Sequence, residues 1–408
     1  MPLLPPPGTA RVLVTATLVN TVGNGAYLAT SVLFLTRVIG LTPAQVALGL
    51  SAAAAVSIVL STPLGYLADR AGPKGMYIGA LLVSAAGFAG LTLIDGFWSY
   101  AVLTCLVGAA DAAARSASGA MVAAAAAPGE RVRLRAYTRS ANNLGIGLGT
   151  LAAAVPLALD TRAGYVVLLL ADAVSFVIAA AIVARAGRVA PVAAPATGPR
   201  LVALRDRPFL VFAAIDGLLS ALYNAMFVVG LPLWLVARGG APLWLVSASL
   251  VVNTAGCVLL QVRASRGIEG PAAAARASRR GALVVAASCV LLGLIGVLPV
   301  AGVIVAVLAA AVVHVLGELL LSSATWAVVF ELAPDWAQGQ YQGTWLTGRQ
   351  LGNMVAPPLV TALVLGLGGF GWIATGLVFA GAALAYPAVV AWGVRTRPRA
   401  AAAEPVTV

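Results

Sequence analysis

The sequence predicts an all-α integral membrane protein: twelve transmembrane helices in two pseudo-symmetric six-helix bundles. Three observations carry this. Twelve apolar stretches are separated by Arg-rich loops, and each is long enough for the roughly 20 apolar residues that cross a bilayer. The arginines gather on alternate loops, as the positive-inside rule requires of a spanning chain. Short motifs in the first half recur in the same order in the second. Composition agrees, because the 408 residues are 61% hydrophobic and only 9% charged, with a mean hydropathy of +0.99. A soluble domain carries roughly 25% charged residues, so this chain needs lipid as its solvent. A net charge of +12 would suggest nucleic acid as the partner of a soluble protein, but charge confined largely to short loops between spans argues against it.

The spans lie near 12–36, 43–66, 76–95, 99–124, 137–159, 163–185, 209–236, 242–262, 281–299, 301–331, 343–367 and 371–394. An even number puts both ends on one side. If that side is the cytoplasm, Arg70 and Lys74, Arg131, Arg133 and Arg135, Arg188 to Arg207, Arg263 to Arg280, and Arg395 to Arg399 all lie inside. Only Arg37, Arg162 and Arg238 then fall outside, so both termini are placed in the cytoplasm. The first stretch is long enough to stay as a span and not be cleaved as a signal peptide. Lys74 is the only lysine, and with the Ala and Val richness this suggests a high-GC bacterial genome and the bacterial inner membrane. Residues 186–208, rich in Ala, Pro and Arg, form the longest polar break. They divide the chain into a six-helix bundle over 1–185, a cytoplasmic linker, and a second bundle over 209–408 with a short cytoplasmic tail.

The two halves read as diverged copies. Leu33-Phe-Leu-Thr-Arg37 ends the first span and Leu233-Trp-Leu-Val-Ala-Arg238 the seventh; Ala127-Pro128 follows the fourth and Ala333-Pro334 the tenth. Asn143-Leu-Gly145 in the fifth span echoes Gln350-Leu-Gly352 in the eleventh. Two six-helix repeats are a transporter plan with the substrate bound near the midplane. The loop after the second span reads Gly65-Tyr-Leu-Ala-Asp69-Arg70-Ala-Gly72-Pro-Lys74. It resembles the signature loop of the major facilitator superfamily, Gly-x-Leu-Ala-Asp-Arg-x-Gly-Arg-Lys, with Pro73 in place of one basic residue. The glycines allow close approach and a turn. The Asp69 carboxylate can pair with Arg70 or another arginine, or cap the start of a helix in the other half. The resemblance implies a gating role for Gly65, Asp69, Arg70, Gly72 and Lys74; a tight basic turn with no switching is the plainer alternative.

Ionisable groups inside spans are costly, about 2.5–3.5 kcal/mol each on insertion scales. In the fourth span Asp111 and Arg115 share a helical face at i and i+4 and can pair. Arg115-x-x-Ser118-Gly119 is similar to the family's Arg-x-x-Gln-Gly pattern, which the resemblance associates with proton coupling, although Ser118 replaces the Gln. In the tenth span His314 and Glu318 repeat the same spacing, and the register of the repeat sets Glu318 opposite Asp111. The resemblance implies that these two helices line a central cavity, where a carboxylate can exchange a proton and a histidine can stabilise or relay it. Asp216 in the seventh span is a further proton candidate, or reaches the cytoplasmic interface; Asp172 in the sixth is expected to be peripheral. Asn20, Asn24, Tyr223, Asn224 and Asn253 are candidates for substrate contact, or else hydrogen bonds between helices. Exporters of the family often carry Gly-Pro-x-x-Gly-Gly in the fifth helix; here the segment reads Gly149-Thr150-Leu-Ala-Ala-Ala154, and the proline is lost.

Trp98, Trp244 and Trp372 are expected as anchors at the outer interface. Cys105, Cys257 and Cys289 lie in apolar stretches without metal spacing and read as small buried thiols. With one histidine, no Cys/His cluster and no phosphate-binding loop, neither an enzyme, a metal site, a cofactor nor direct ATP drive is expected. The reading is a monomeric secondary carrier that exports a small apolar or amphipathic compound against protons by alternating access. Proton-symport uptake remains open, as does a non-transporting receptor or scaffold.

Overall fold

The computed structural model describes residues 5–187, 199–238 and 241–397. Among the described residues twelve helices are long and apolar enough to span a membrane. They are α1 (Thr9–Val38), α2 (Pro43–Ala71), α3 (Pro73–Leu93), α4 (Phe97–Ala125), α5 (Pro128–Leu159) and α6 (Arg162–Ala184) in the first half. The second half holds α7 (Arg207–Arg238), α8 (Trp244–Ala264), α9 (Gly270–Val297), α10 (Val300–Leu332), α11 (Asp335–Leu367) and α12 (Gly369–Arg395). Every predicted span corresponds to one of them. The polar break at 186–208, Arg188, Arg399 and the tail fall wholly or partly on 188–198 and 398–408, outside the described residues.

Local chemistry sets the boundaries. Thr42 and Gln45 form a capping box around Pro43 at the start of α2, and Asp206 caps α7 by accepting from the Phe209 N–H at 3.2 Å. Gly72, with φ of 98°, separates α2 from α3, a conformation that disfavours any residue with a Cβ. Three helices begin well before their predicted spans: α5 at Pro128, α9 at Gly270 and α11 at Asp335. Their opening turns carry Arg131 to Arg135, Arg276 to Arg280 and Gln338 to Gln342. Helical hydrogen bonding continues through these polar turns, whereas hydropathy registers only the apolar length.

The repeat is visible in packing. In the first half α1 packs on α5, α2 on α4, and α3 on both α4 and α6; in the second α7 packs on α11, α8 on α10, and α9 on both α10 and α12. A 3₁₀ turn leads into α5 after Ala127-Pro128 and another into α11 after Ala333-Pro334. The arginines that end α1 and α7 both turn back onto neighbouring loops. Arg37 pairs with Asp160 at 2.6 Å, and Arg238 donates to the carbonyls of Ile295 and Leu298. A Tyr165 hydrogen bond, followed by Arg37, holds the Asp160 carboxyl below its usual range.

Two expectations are corrected. Trp98 and Trp244 are exposed as interface anchors should be, but Trp372 is fully buried. Its ring fills the space left by Gly230 on α7 and its Cβ lies against Gly293 on α9. Cys257 and Cys289 are buried free thiols, whereas Cys105 is only half-buried.

Candidate functional site

The side on which α1 begins and α12 ends is called the terminal side. There the two halves close on each other along α2 and α11. A Cβ on Gly65 would run into the Gly339 carbonyl, and one on Gly343 into the Ser61 carbonyl, so the backbones touch where glycine allows it. Thr62 and Thr344 share a hydrogen bond at 3.1 Å, and Thr347 donates to the Ile58 carbonyl at 3.1 Å. Arg131 and Asp335 pair at 3.0 Å across the same side.

Asp69 completes this seam. Its carboxylate accepts the backbone N–H groups of Gly339 at 2.7 Å and Gln340 at 2.9 Å. It therefore caps the start of α11 in the opposite half, where orphan N–H groups and the helix dipole both favour negative charge. Of the arrangements open to it from sequence, this is the one adopted. The other motif residues hold the loop. Arg70 lies over the Tyr66 ring at 5.0 Å, Gly72 makes the turn, and Lys74 donates to the Ala184 and Ala186 carbonyls at 2.8 and 2.5 Å.

Deeper in the membrane, Glu318 on α10 is the centre of a polar cluster. It forms an ion pair with Arg139 on α5, from the other half, and accepts from Asn253 Nδ2 on α8 at 2.6 Å. His314 Nε2 lies 3.7 Å away, with its ring against Phe227 and Tyr223. Tyr223 is buried within the field of Arg139 and Glu318. Two of the five polar candidates, Tyr223 and Asn253, thus belong to one cluster with Glu318. Asn224 is exposed in mid-span, Asn24 is half-buried, and Asn20 has a buried Oδ1 without a hydrogen-bond partner among the described residues.

Asp111 and Arg115 do pair, at 2.7 Å along α4, and their side chains remain about half exposed, at 44% and 59%. Lipid would not accept a charged pair so open, which places it against a watery space. Asp216 does not reach an interface. It is buried, accepting from Trp345 Nε1 at 2.7 Å, Tyr386 at 3.2 Å and Thr325, and so ties α7 to α10, α11 and α12. Asp172 is fully buried between α6 and α1, with Oδ1 against Gly23.

Sequence reasoning missed Arg139, the ion-pair partner of Glu318. It also passed over Arg135 and Arg349, which stack on Trp326 and Trp345. The signal was present, since Arg139 and Arg349 both lie inside predicted spans, where an arginine is a functional candidate by default. Among the described residues no group of three or more His, Cys, Asp or Glu is placed to hold a metal.

The family model described as Major Facilitator Superfamily matches residues 13–303. No curated protein matches the chain by sequence. Among solved structures, a bacterial homologue of the iron transporter ferroportin in an outward-facing state is similar at a TM-score of 0.75 and 14% identity, covering 95% of this chain and 99% of that one. The transporter FucP in its outward conformation gives 0.73 and 13%, covering 94% and 98%. The human organic anion transporter MFSD10 gives 0.64 and 16%, covering 94% and 98%. At these identities the likeness is one of fold.

Proposed function

Because the chain belongs to the major facilitator superfamily, and is therefore a multi-pass secondary transporter and not an enzyme, we propose that it exports a small apolar or amphipathic compound in exchange for protons across a bacterial inner membrane. The observation that carries this reading is the Glu318–Arg139 ion pair, which joins the two halves inside the membrane. A proton on Glu318 removes the charge that holds Arg139, so protonation and the relative position of the halves are linked. The terminal side, taken as cytoplasmic, is shut by the Asp69 cap and the α2–α11 seam. In this cycle substrate leaves outward, a proton reaches Glu318 or Asp111, the halves rock, and Asp69 releases and recaptures α11. The motif set, similar to that of efflux carriers, and the few polar groups in the spans favour export.

The test is proton movement in proteoliposomes under an imposed pH gradient while dyes, antibiotics and sugars are added. Proton flux opposite to the compound establishes antiport. Co-movement reverses the direction to symport uptake, and compound movement indifferent to pH removes the proton from the cycle.

The latch has its own test. Asp69→Asn keeps the shape but loses the charge of a double cap, and hydrogen bonds to a charged group contribute about 1.5–3 kcal/mol. The closed state should lose roughly ten- to a hundred-fold in population. Turnover should slow while equilibrium binding of substrate stays near wild type; a wild-type transport rate would remove Asp69 from the gate.

A further inference from the structure

Four arginines from both halves converge above the terminal-side seam: Arg115 on α4, Arg135 and Arg139 on α5, and Arg349 on α11. They lie close enough for Arg135 to feel the charges of the other three. Two of them are neutralised, Arg115 by Asp111 and Arg139 by Glu318. The other two are not. Among the described residues, neither Arg135 nor Arg349 has a carboxylate within ion-pair distance, and neither donates a hydrogen bond. The carboxylate whose field reaches Arg349 is that of Asp216, which is already engaged by Thr325, Trp345 and Tyr386.

What the two free cations do have is a shared aromatic support. The Arg135 guanidinium lies 3.9 Å from the Trp326 ring centre and that of Arg349 lies 5.2 Å from the Trp345 ring centre. The two indoles meet edge to face at 4.5 Å. Trp345 is fixed in turn by its hydrogen bond to Asp216. A guanidinium stacked on a ring uses its face and leaves the N–H donors of its edge unspent. Both residues are only partly buried, and no described residue accepts a hydrogen bond from either edge. Arg349 is two residues, about half a helical turn, past Thr347, whose hydrogen bond to the Ile58 carbonyl belongs to the closed seam, so the assembly lies at the inner end of that seam.

Stacking on an indole recovers less than the cost of carrying an unpaired arginine into a membrane protein. An anion completes the balance, and the planar fork of arginine suits an oxyanion with two or three equivalent oxygens. We infer that the substrate is an organic anion whose carboxylate, sulfonate or phosphate is held by the edges of Arg135 and Arg349, one from each half of the molecule. This deepens the transport reading and rests on it only for the word substrate. The binding site stands independently of direction or coupling.

The experiment measures thermal stability of the full-length protein purified in detergent, at fixed ionic strength, with no gradient present. The probes are matched sets of aromatic and alicyclic carboxylates, sulfonates and phosphate monoesters, each beside its neutral amide or alcohol and its amine. Stabilisation confined to anionic members is expected, rising with concentration as binding to the folded state requires. Apparent affinity should fall about ten- to a hundred-fold in Arg349→Gln and in Arg135→Gln. Arg349→Lys, which keeps charge without the fork, should fall between, and Arg276→Gln, on the exposed face of α9, should match wild type. If anions stabilise no more than their neutral counterparts, or stabilise both glutamine variants as they do wild type, the anion site is wrong. Anion-selective binding in a protein whose proteoliposomes move no protons would leave this site standing and remove the proton-coupled cycle.

Discussion

Glu318→Gln is expected to abolish gradient-driven transport and to leave exchange of substrate across the membrane, measured as counterflow, within a few-fold of wild type. The amide can still accept a hydrogen bond at the position of Oε2, where Asn253 donates at 2.6 Å, so the local shape survives. It cannot take up or release a proton, and it holds Arg139 no better than a protonated Glu318 would. Removing one member of a buried pair typically costs about 3–5 kcal/mol, so some loss of stability should accompany the change. The double variant Glu318→Gln with Arg139→Gln, which leaves no uncompensated charge, should regain much of that stability but none of the coupling. Unchanged gradient-driven transport in Glu318→Gln would transfer the proton role to Asp111, the remaining carboxylate open to the watery space.

Gly65→Val should have the second large effect. The seam between α2 and α11 is backbone against backbone: any Cβ at 65 overlaps the Gly339 carbonyl, and the Gln340 nitrogen lies 3.0 Å from where that carbon would be. Neither neighbour is a flexible side chain that can swing aside, so the helices must separate. Overpacking of this kind typically costs about 1–3 kcal/mol, and here the cost falls only on the state with the terminal side shut. The variant should rest open on that side, and transport should fall about a hundred-fold. A cysteine at Thr62 or Thr344, a pair hydrogen-bonded at 3.1 Å in the closed seam, should react with thiol reagents added from the terminal side in the valine variant and resist them in the wild-type background. Equal protection in both would mean that the seam does not gate.

The sequence shows the parts of this molecule whose partners are close along the chain. Span number follows from apolar length, the repeat from recurring motifs, and the Asp111–Arg115 pair from helical spacing alone. The signature loop pointed to Asp69, and a cap on a helix of the other half was among its possible arrangements. Contacts set by how the halves meet were not legible. Arg139 gains its meaning from Glu318, far along the chain, and Gly339 and Gly343 become a gate surface only against Gly65 and Ser61. Hydropathy placed the start of α11 at residue 343 and so left Gly339 and Gln340, the donor end of the latch, in a predicted loop. Trp372 misled for a related reason: a tryptophan near a span end suits either an interface or a glycine-lined hole, and only packing distinguishes them.

Two short stretches of π-helix interrupt otherwise regular spans, Phe34–Val38 at the end of α1 and Met226–Gly230 within α7. These are the opening helices of the two repeats; the α1 stretch lies at the far end of its helix, and the α7 stretch is level with the polar cluster, where Phe227 meets His314. A π turn holds an extra residue per turn with poorer backbone geometry, and it is where helices bend. The outer ends of α1 and α7 therefore have their own joints. On the proposed transport cycle, tilting at these joints would close the far end over a loaded centre while the glycine seam stays zipped. Such a cycle would pass through a state closed at both ends, and cargo would then cross without a continuous column of water that short-circuits the membrane voltage.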